Sequence, residues 1–179
     1  MKSTIATPRF WFLTILIFIA AISRLFPHIP NFTPITAMAL FGGVYFKDRV
    51  SAFLVPLLSM FISDCFLELS TGWGFHNTII YVYVSIVFIT LIGMYVQKNV
   101  TVQTVLLGSL SSSILFFIIT NFGVWAAMGF SQGAAGLATT YVKGIPFFTP
   151  TLAGDLFFNG ILFGSYYLAQ RRLPSLIKA

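Results

Sequence analysis

Long apolar runs divide the chain into six segments, separated by short breaks that are rich in charged, glycine, proline or asparagine residues. A helix needs about 17 to 25 residues to cross the hydrocarbon core of a bilayer. Backbone groups in lipid must be satisfied within the segment, so each crossing run is predicted to be helical. The predicted spans, of which the second is short, are 10–26, 33–46, 51–69, 78–96, 104–128 and 150–169. The pattern therefore predicts an all-α integral membrane protein, with residues 1–179 forming a single transmembrane domain.

The basic residues are distributed unevenly between the two ends of the predicted helices. Only Arg24 and Lys143 lie on one side. The other eight lie in the amino terminus, in the second-to-third and fourth-to-fifth connections and in the carboxyl tail: Lys2, Arg9, Lys47, Arg49, Lys98, Arg171, Arg172 and Lys178. Because short loops rich in Lys and Arg stay in the cytoplasm, both termini are predicted to be cytoplasmic and the protein to be a multi-pass protein of the cytoplasmic membrane.

The first apolar run has a second interpretation as a cleaved signal peptide. Lys2 and Arg9 would be its basic start, and Ala20 and Ala21 would lie near the cleavage site. Cleavage would leave five spans and place the new terminus outside, against the distribution of basic residues in the remaining loops. Retention of the first helix is therefore the favoured interpretation.

Composition supports a membrane protein. Hydrophobic residues make up 58% of the chain and charged residues 8%, whereas about a quarter of a water-soluble domain is charged. The net charge of +6 is scattered along apolar sequence, which favours membrane orientation over nucleic-acid binding. The single cysteine, Cys65, excludes an internal disulfide. We interpret Cys65 as a small apolar filler and expect no cofactor; the alternative is that Cys65, with His76, is a ligand for a metal carried by a substrate.

Three connections, 27–32, 70–77 and 129–149, are predicted on the outer side, and they are rich in Gly, Pro, aromatic, His and Asn residues. The third is long for a compact bundle, at about 20 residues, and long connections are commonly functional lids. With glycine hinges and a short helix over 134–142, it is predicted to be a gate over an outward-facing site. The alternative is a passive segment that lies on the lipid headgroups.

A short sequence motif is repeated at the predicted starts of the second and sixth helices: Phe-Thr-Pro occurs at 32–34 and again at 148–150. In each copy the threonine is suited to be the N-cap and the proline to be the first helical residue. The fourth helix, entered through His76, Asn77 and Thr78, also starts on the outer side. Three helix amino ends would then favour an anionic or strongly accepting ligand. The alternative is that Thr-Pro simply starts helices well.

Ionisable side chains also occur within the predicted spans, where burial costs about 2.5 to 3.5 kcal/mol on insertion scales. Asp64 and Glu68 lie one turn apart on one helix face, so their charges repel unless cations or protons intervene. For Asp64 and Asp155 we predict a functional or network role. Arg24 or Lys143 is the expected counter-ion.

Amides, aromatic rings and histidines complete the predicted site. Asn121 and Asn159 contact the ligand or only bond neighbouring helices. The outer aromatic residues form walls for a planar ligand or an ordinary interfacial belt. His28 and His76 contact the ligand or hydrogen-bond a helix end. The candidate substrate-binding residues are Asn31, Asp64, Trp73, His76, Asn121, Trp125, Tyr141, Phe148, Asp155 and Asn159.

Several motifs are distributed over nearly the whole chain. They are Pro-Asn-Phe-Thr-Pro-Ile at 30–35, Ala-Leu-Phe-Gly-Gly at 39–43, Ser-Asp at 63–64, Thr-Asn-Phe-Gly-Val-Trp at 120–125, Ile-Pro-Phe-Phe at 145–148 and Gly-Asp at 154–155. Together they resemble an uncharacterised bacterial family of six-helix membrane proteins. That family is similar to the S components, the substrate-binding subunits of energy-coupling-factor vitamin transporters, in its six helices, cytoplasmic termini and ligand-binding outer loops.

The resemblance implies uptake of a small micronutrient, a vitamin or related compound, bound from outside beneath the three outer connections. It also implies a protein partner, which is a transmembrane coupling protein that works with cytoplasmic ATPases. The chain itself would lie in the lipid bilayer. The chain has no phosphate-binding glycine loop, so it is not expected to hydrolyse ATP. S components often carry Ala-x-x-x-Ala on the first helix for docking, whereas Ala20 and Ala21 are adjacent here.

Two other functions stay open from the sequence. An intramembrane enzyme would use Asp64 and Asp155 as acid/base partners on a lipid-linked substrate. No nucleophile or metal-ligand spacing accompanies the two carboxylates, so enzyme activity is not the preferred interpretation. A non-catalytic membrane assembly factor would instead bind a protein partner.

Overall fold

The computed structural model describes residues 7–27, 29–128, 130, 133–173 and 176. In these residues the chain is all-helical, and the prediction of six helices is confirmed. The helices are α1 Pro8–Ser23, α2 Ile35–Tyr45, α3 Arg49–Thr71, α4 Ile79–Val96, α5 Val102–Ala127 and α6 Gly133–Arg172. Among them α3, α4 and α5 are long and apolar enough to cross a membrane, while α1 and α2 are shorter apolar helices. Three such helices indicate a membrane protein.

Side-chain caps set the starts of three helices. Thr7 accepts a hydrogen bond from the backbone N–H of Phe10 at the start of α1, and Asp48 accepts one from Ser51 in α3. Thr101 and Thr104 form a reciprocal capping box at the start of α5. Each cap satisfies a backbone donor that has no partner inside the helix. The short polar breaks between the apolar runs therefore act as helix start signals.

Helix α2 is the centre of the bundle. Ten of its eleven residues are buried, so it has no polar face and no solvent face. At a rise of 1.5 Å per residue its length is about 16 Å, roughly half of a bilayer's hydrocarbon core. It packs against each of the other five helices. The short second apolar run is thus an internal element that its neighbours enclose.

Glycines allow α2 and α4 to cross closely. Gly43 and Gly93 face one another, and a Cβ on Gly43 would overlap the carbonyl oxygen of Thr90. A Cβ on Gly93 would overlap the carbonyl oxygen of Leu40 in the same way. The two helix backbones are therefore in direct contact at this point, as in other small-residue crossings of membrane helices.

The start of α6 corrects the predicted boundary of the last helix. The segment 129–149 was expected to be a connection containing a short helix over 134–142, with a new helix starting at Pro150. Instead α6 begins at Gly133 and runs for 40 residues, with Pro146 and Pro150 inside it. The prolines lie four residues apart, so they remove two N–H donors from the same helix face. Thr149 is therefore a residue within the helix and not an N-cap.

The predicted cap of α2 is also wrong in detail. Pro34, and not Thr33, occupies the N-cap position, and no side chain caps this end. The carbonyl of Pro34 accepts a hydrogen bond from the backbone N–H of Met38. Helices α2 and α4 start at the same end of the bundle, whereas α6 passes this end without starting there. Two helix amino ends, and not three, meet in this region.

Candidate functional site

A cavity of about 470 Å³ lies at the end of the bundle where α2 and α4 start and α5 ends. The amino-terminal half of α6 closes its remaining side, through residues between Thr139 and Thr151. Cavities of this size are typical of small-molecule binding sites, which fall between about 300 and 1,000 Å³. Three of the ten predicted binding residues line it, namely Asn31, His76 and Asn121.

Asn31 reaches the cavity from the connection between α1 and α2. Its backbone φ is 65°, in the left-handed region. Asparagine adopts this conformation more readily than most residues because its short side chain can bond locally. The turn directs the chain past Thr33 into α2, so Asn31, Thr33 and Ile35 form one wall of the cavity.

His76 lies in the connection that leads into α4. Its Nδ1 atom is 3.0 Å from the hydroxyl oxygen of Thr78, which is the N-cap residue of α4. Both side chains line the cavity. With Nδ1 engaged, Nε2 is the ring nitrogen that has no protein partner within the described part of the chain. His76 therefore presents one available ring nitrogen at the mouth of the site.

Asn121 lies on the wall formed by α5. Its Nδ2 donates to the carbonyl oxygen of Phe117 at 2.8 Å, one turn back in the same helix. Gly144 of α6 packs directly on the Asn121 amide, because a Cβ at that position would overlap Oδ1. The contact fixes the orientation of the amide and brings α6 close to α5.

The polar lining of the cavity has a consistent chemical character. Six of its side chains are threonines, at positions 33, 78, 120, 139, 140 and 151. Two are basic, His76 and Lys143, and none of the four carboxylates of the chain lines the cavity. Phe116, Phe117 and Phe147 supply apolar surface. Thr120, Thr139, Thr140 and Thr151 donate their hydroxyl protons to carbonyls of their own helices, so these four hydroxyls can only accept hydrogen bonds from a ligand. The site therefore combines positive charge and hydroxyl oxygens with aromatic rings.

Sequence reasoning missed Lys143 as a lining residue. The sequence predicts Lys143 only as a counter-ion for Asp64 or Asp155, because Lys143 is one of two basic residues on the side that has few charges. Lys143 and Arg24 lie on the side opposite to the other eight basic residues, and this unusual position is the signal that points to Lys143. Arg24, the other basic residue of that side, is the counter-ion of Asp64.

Three predicted aromatic residues stand behind the cavity wall. The Tyr141 hydroxyl donates to the carbonyl oxygen of Ile118 at 2.8 Å. Its ring centroid lies 5.8 Å from that of Phe117, and the Phe148 ring lies 5.4 Å from Phe117. Trp125 donates from Nε1 to the carbonyl oxygen of Gly133 at 3.1 Å. These contacts hold the first half of α6 against the end of α5.

Asp64 belongs to a buried ion pair away from the cavity. The Arg24 guanidinium lies 2.8 Å from its Oδ1, and the Tyr83 hydroxyl donates to its Oδ2 at 2.7 Å. Arg24 also donates to the hydroxyl of Ser63. Glu68, one turn further along α3, is exposed and accepts from the backbone N–H of Phe75. The network ties α1, α3 and α4 together.

Asp155 is fully buried among α2, α5 and α6. The hydroxyls of Thr36 and Ser113 each donate to one of its carboxylate oxygens. One turn further along α6, Asn159 donates to the Ser109 hydroxyl at 3.0 Å. Thr151, one turn before Asp155, lines the cavity. This buried network therefore lies directly beneath the cavity floor, and shares no partner with Asp64.

The remaining candidates lie elsewhere. Trp73 is 77% exposed and does not line the cavity. Cys65 is half-buried in α3, and no cluster of three or more potential metal ligands occurs in the part of the chain that the structure describes. His28 and the expected hinge at Gly129 lie outside the described residues.

The fold is all-helical with three helices long and apolar enough to cross a membrane, and a cavity of small-molecule size lies at one end of the bundle. The chain belongs to the family of unknown function DUF6580, whose model matches residues 4–176. No curated protein and no solved structure matches the chain significantly.

Proposed function

We propose that the protein is a membrane-embedded substrate-binding protein for uptake of a small micronutrient. The observation that carries this proposal is the cavity of about 470 Å³ between the starts of α2 and α4, the end of α5 and α6. It combines hydroxyl, amide and basic side chains with aromatic rings, the composition of a site that binds an organic molecule. No group of three or more potential metal ligands occurs among the described residues.

The proposal includes six membrane crossings within one domain and an outward-facing cavity. The distribution of basic residues supports it, since eight of ten Lys and Arg residues fall on the side that would be cytoplasmic. The cavity lies at the opposite end. In this arrangement the short α2 lies inside the bundle and, together with the residues that flank it, forms the second crossing of the bacterial inner membrane.

Energy for transport would come from a partner. The chain carries no phosphate-binding glycine loop, so ATP hydrolysis belongs to another subunit. The predicted six helices, cytoplasmic termini and ligand-binding outer loops are similar to those of S components, and by that similarity the partner would be a transmembrane coupling protein with cytoplasmic ATPases. Ala20 and Ala21 are adjacent and buried, so α1 lacks the Ala-x-x-x-Ala docking face that S components often carry, and this departure weighs against a shared coupling protein.

Co-purification tests the proposed function. Protein purified in mild detergent is expected to retain a small molecule that mass spectrometry detects after denaturation. Asn121→Ala removes a lining amide and is expected to reduce the retained amount at least tenfold, since a polar group of the ligand loses its partner. Gln97→Ala, a polar truncation at the opposite end of α4, is the matched control. A stable wild-type protein that holds nothing would contradict the proposal.

A further inference from the structure

The cavity contains two basic side chains that come from separate elements. His76 precedes α4 and Lys143 lies in the first half of α6, and both line the same space. Lys143 forms no ion pair with any described residue. The salt bridge that occurs among the described residues joins Arg24 to Asp64, away from the cavity. All four carboxylates lie elsewhere in the molecule. Among the described residues, no negatively charged group compensates the positive charge of Lys143.

An uncompensated charge selects the charge of a ligand. Lys143 is exposed, so water partly screens its charge, and attraction to an anion and repulsion of a cation act at short range within the cavity. The His76 ring adds a hydrogen-bond donor, and its bonds, like those of the Lys143 ammonium, are strongest to charged oxygen atoms. Four of the six lining threonines donate their hydroxyl protons to backbone carbonyls and so do not add to this selection.

The volume of the cavity and its apolar surface indicate the size and chemical character of the uncharged part of the ligand. Inorganic ions would leave most of the volume of about 470 Å³ unfilled. Phe116, Phe117 and Phe147 offer ring surface on the α5 and α6 walls. A ligand that fits therefore has an apolar or aromatic body as well as a charged group.

We propose that the ligand is a small organic anion, and that Lys143 and His76 hold its carboxylate or equivalent oxyanion while its body packs against the phenylalanine rings. The proposal rests on the function proposed above and specifies the class of substrate for the same site. Lys143 is then a specificity-determining residue. Because it lies on α6, a bound anion also links the first half of α6 to the start of α4.

Ligand extraction from matched variants tests the proposal. Wild-type protein, Lys143→Met, Lys143→Arg and the control Lys98→Met are purified identically, and the extracted compounds are analysed in both ion polarities. The expected compound is anionic at neutral pH, is retained by Lys143→Arg and Lys98→Met, and is at least tenfold depleted in Lys143→Met. Lys143 is exposed, so its replacement is expected to leave the thermal unfolding of the ligand-free protein unchanged.

A second measurement uses wild-type protein alone and so does not depend on a variant that folds. The extracted compound and its neutral methyl ester or amide are titrated into ligand-free protein, and the neutral derivative is expected to bind at least tenfold more weakly. A neutral or cationic compound, or equal binding of the derivative, overturns the anion proposal and leaves the proposed function standing. Absence of any compound from stable wild-type protein overturns both.

Discussion

At the residue scale, polar side chains in this protein serve two separate purposes. Asn31, His76 and Asn121 line the cavity, whereas Asp64 and Asp155 are held in buried networks. In the sequence all five are polar residues within or beside apolar runs, so polarity alone does not distinguish cavity-lining residues from residues of buried networks. What separates them is the partner that each side chain meets on another helix, and a single sequence does not contain that information.

Gly144 is predicted to be required for the shape of the cavity. In Gly144→Ala the new Cβ overlaps Oδ1 of Asn121, so the amide must rotate or α6 must move away. We expect at least a tenfold loss of retained ligand, measured by mass spectrometry of purified protein. Gly160→Ala is the matched control in the same helix, since a Cβ there meets nothing within 4 Å. Equal retention in the two variants would contradict this role.

The Arg24–Asp64 pair is predicted to be a determinant of stability. Its two charges are buried, and removal of one leaves the other without compensation, at a cost of about 3 to 5 kcal/mol. Asp64→Asn and Arg24→Met are therefore each expected to lower the free energy of unfolding, measured by denaturant titration in detergent. Glu68→Gln, at an exposed site one turn away, should change it by less than about 0.5 kcal/mol.

A double variant separates the pair from general packing effects. Arg24→Met combined with Asp64→Asn removes both charges, and is expected to lose less than the sum of the two single changes. Strict additivity in this cycle would show that the two side chains do not stabilise one another.

At the element scale, the apolar runs predicted the number and approximate positions of the helices, but not the first half of α6. Gly and Pro at 129–150 are typical of a connection, and this signal was stronger than the helical one. Helical structure there is supported by contacts with α5, such as the Tyr141 hydroxyl on Ile118 and Gly144 on Asn121. Tertiary contacts of this kind override local propensity, and no local pattern reveals them.

The crossing of α2 and α4 is predicted to tolerate no side chain. Gly93→Ala places a Cβ against the carbonyl oxygen of Leu40, so the helices must separate. Overpacking of this kind costs about 1 to 3 kcal/mol, which we expect as a lower thermal unfolding temperature in detergent. Gly164→Ala adds the same methyl group to open space on α6 and should leave that temperature unchanged or slightly raised. The crossing would not be tight if both variants behaved alike.

At the scale of the whole molecule, the cavity and most of the basic residues belong to opposite ends of the bundle. Lys98 follows α4 and Arg171 and Arg172 end α6, whereas His76 lies at the cavity. The sequence predicted this separation because hydropathy marks helix ends and basic residues mark one side. It could not predict that α2 is enclosed by the other helices, since burial on all sides and exposure to lipid both require apolar residues.

Site-directed labelling is expected to confirm the orientation. In a Cys65→Ala background, His76→Cys should react with a membrane-impermeant maleimide added to intact cells. Lys98→Cys should react only after the membrane is permeabilised, because it lies at the opposite end of α4. Labelling in the reverse order would place the cavity on the cytoplasmic side and remove the basis for an uptake function.

The burial of Asp155 has a consequence for how the protein is made. Hydroxyl groups of α2 and α5 donate hydrogen bonds to its two carboxylate oxygens. If α6 entered lipid without these helices, it would expose a carboxyl group that has no hydrogen-bond partner. Both partner helices precede α6 in the chain and leave the ribosome earlier. Translation therefore makes both hydroxyl partners of Asp155 before it makes α6, and they are in place when this helix packs against them.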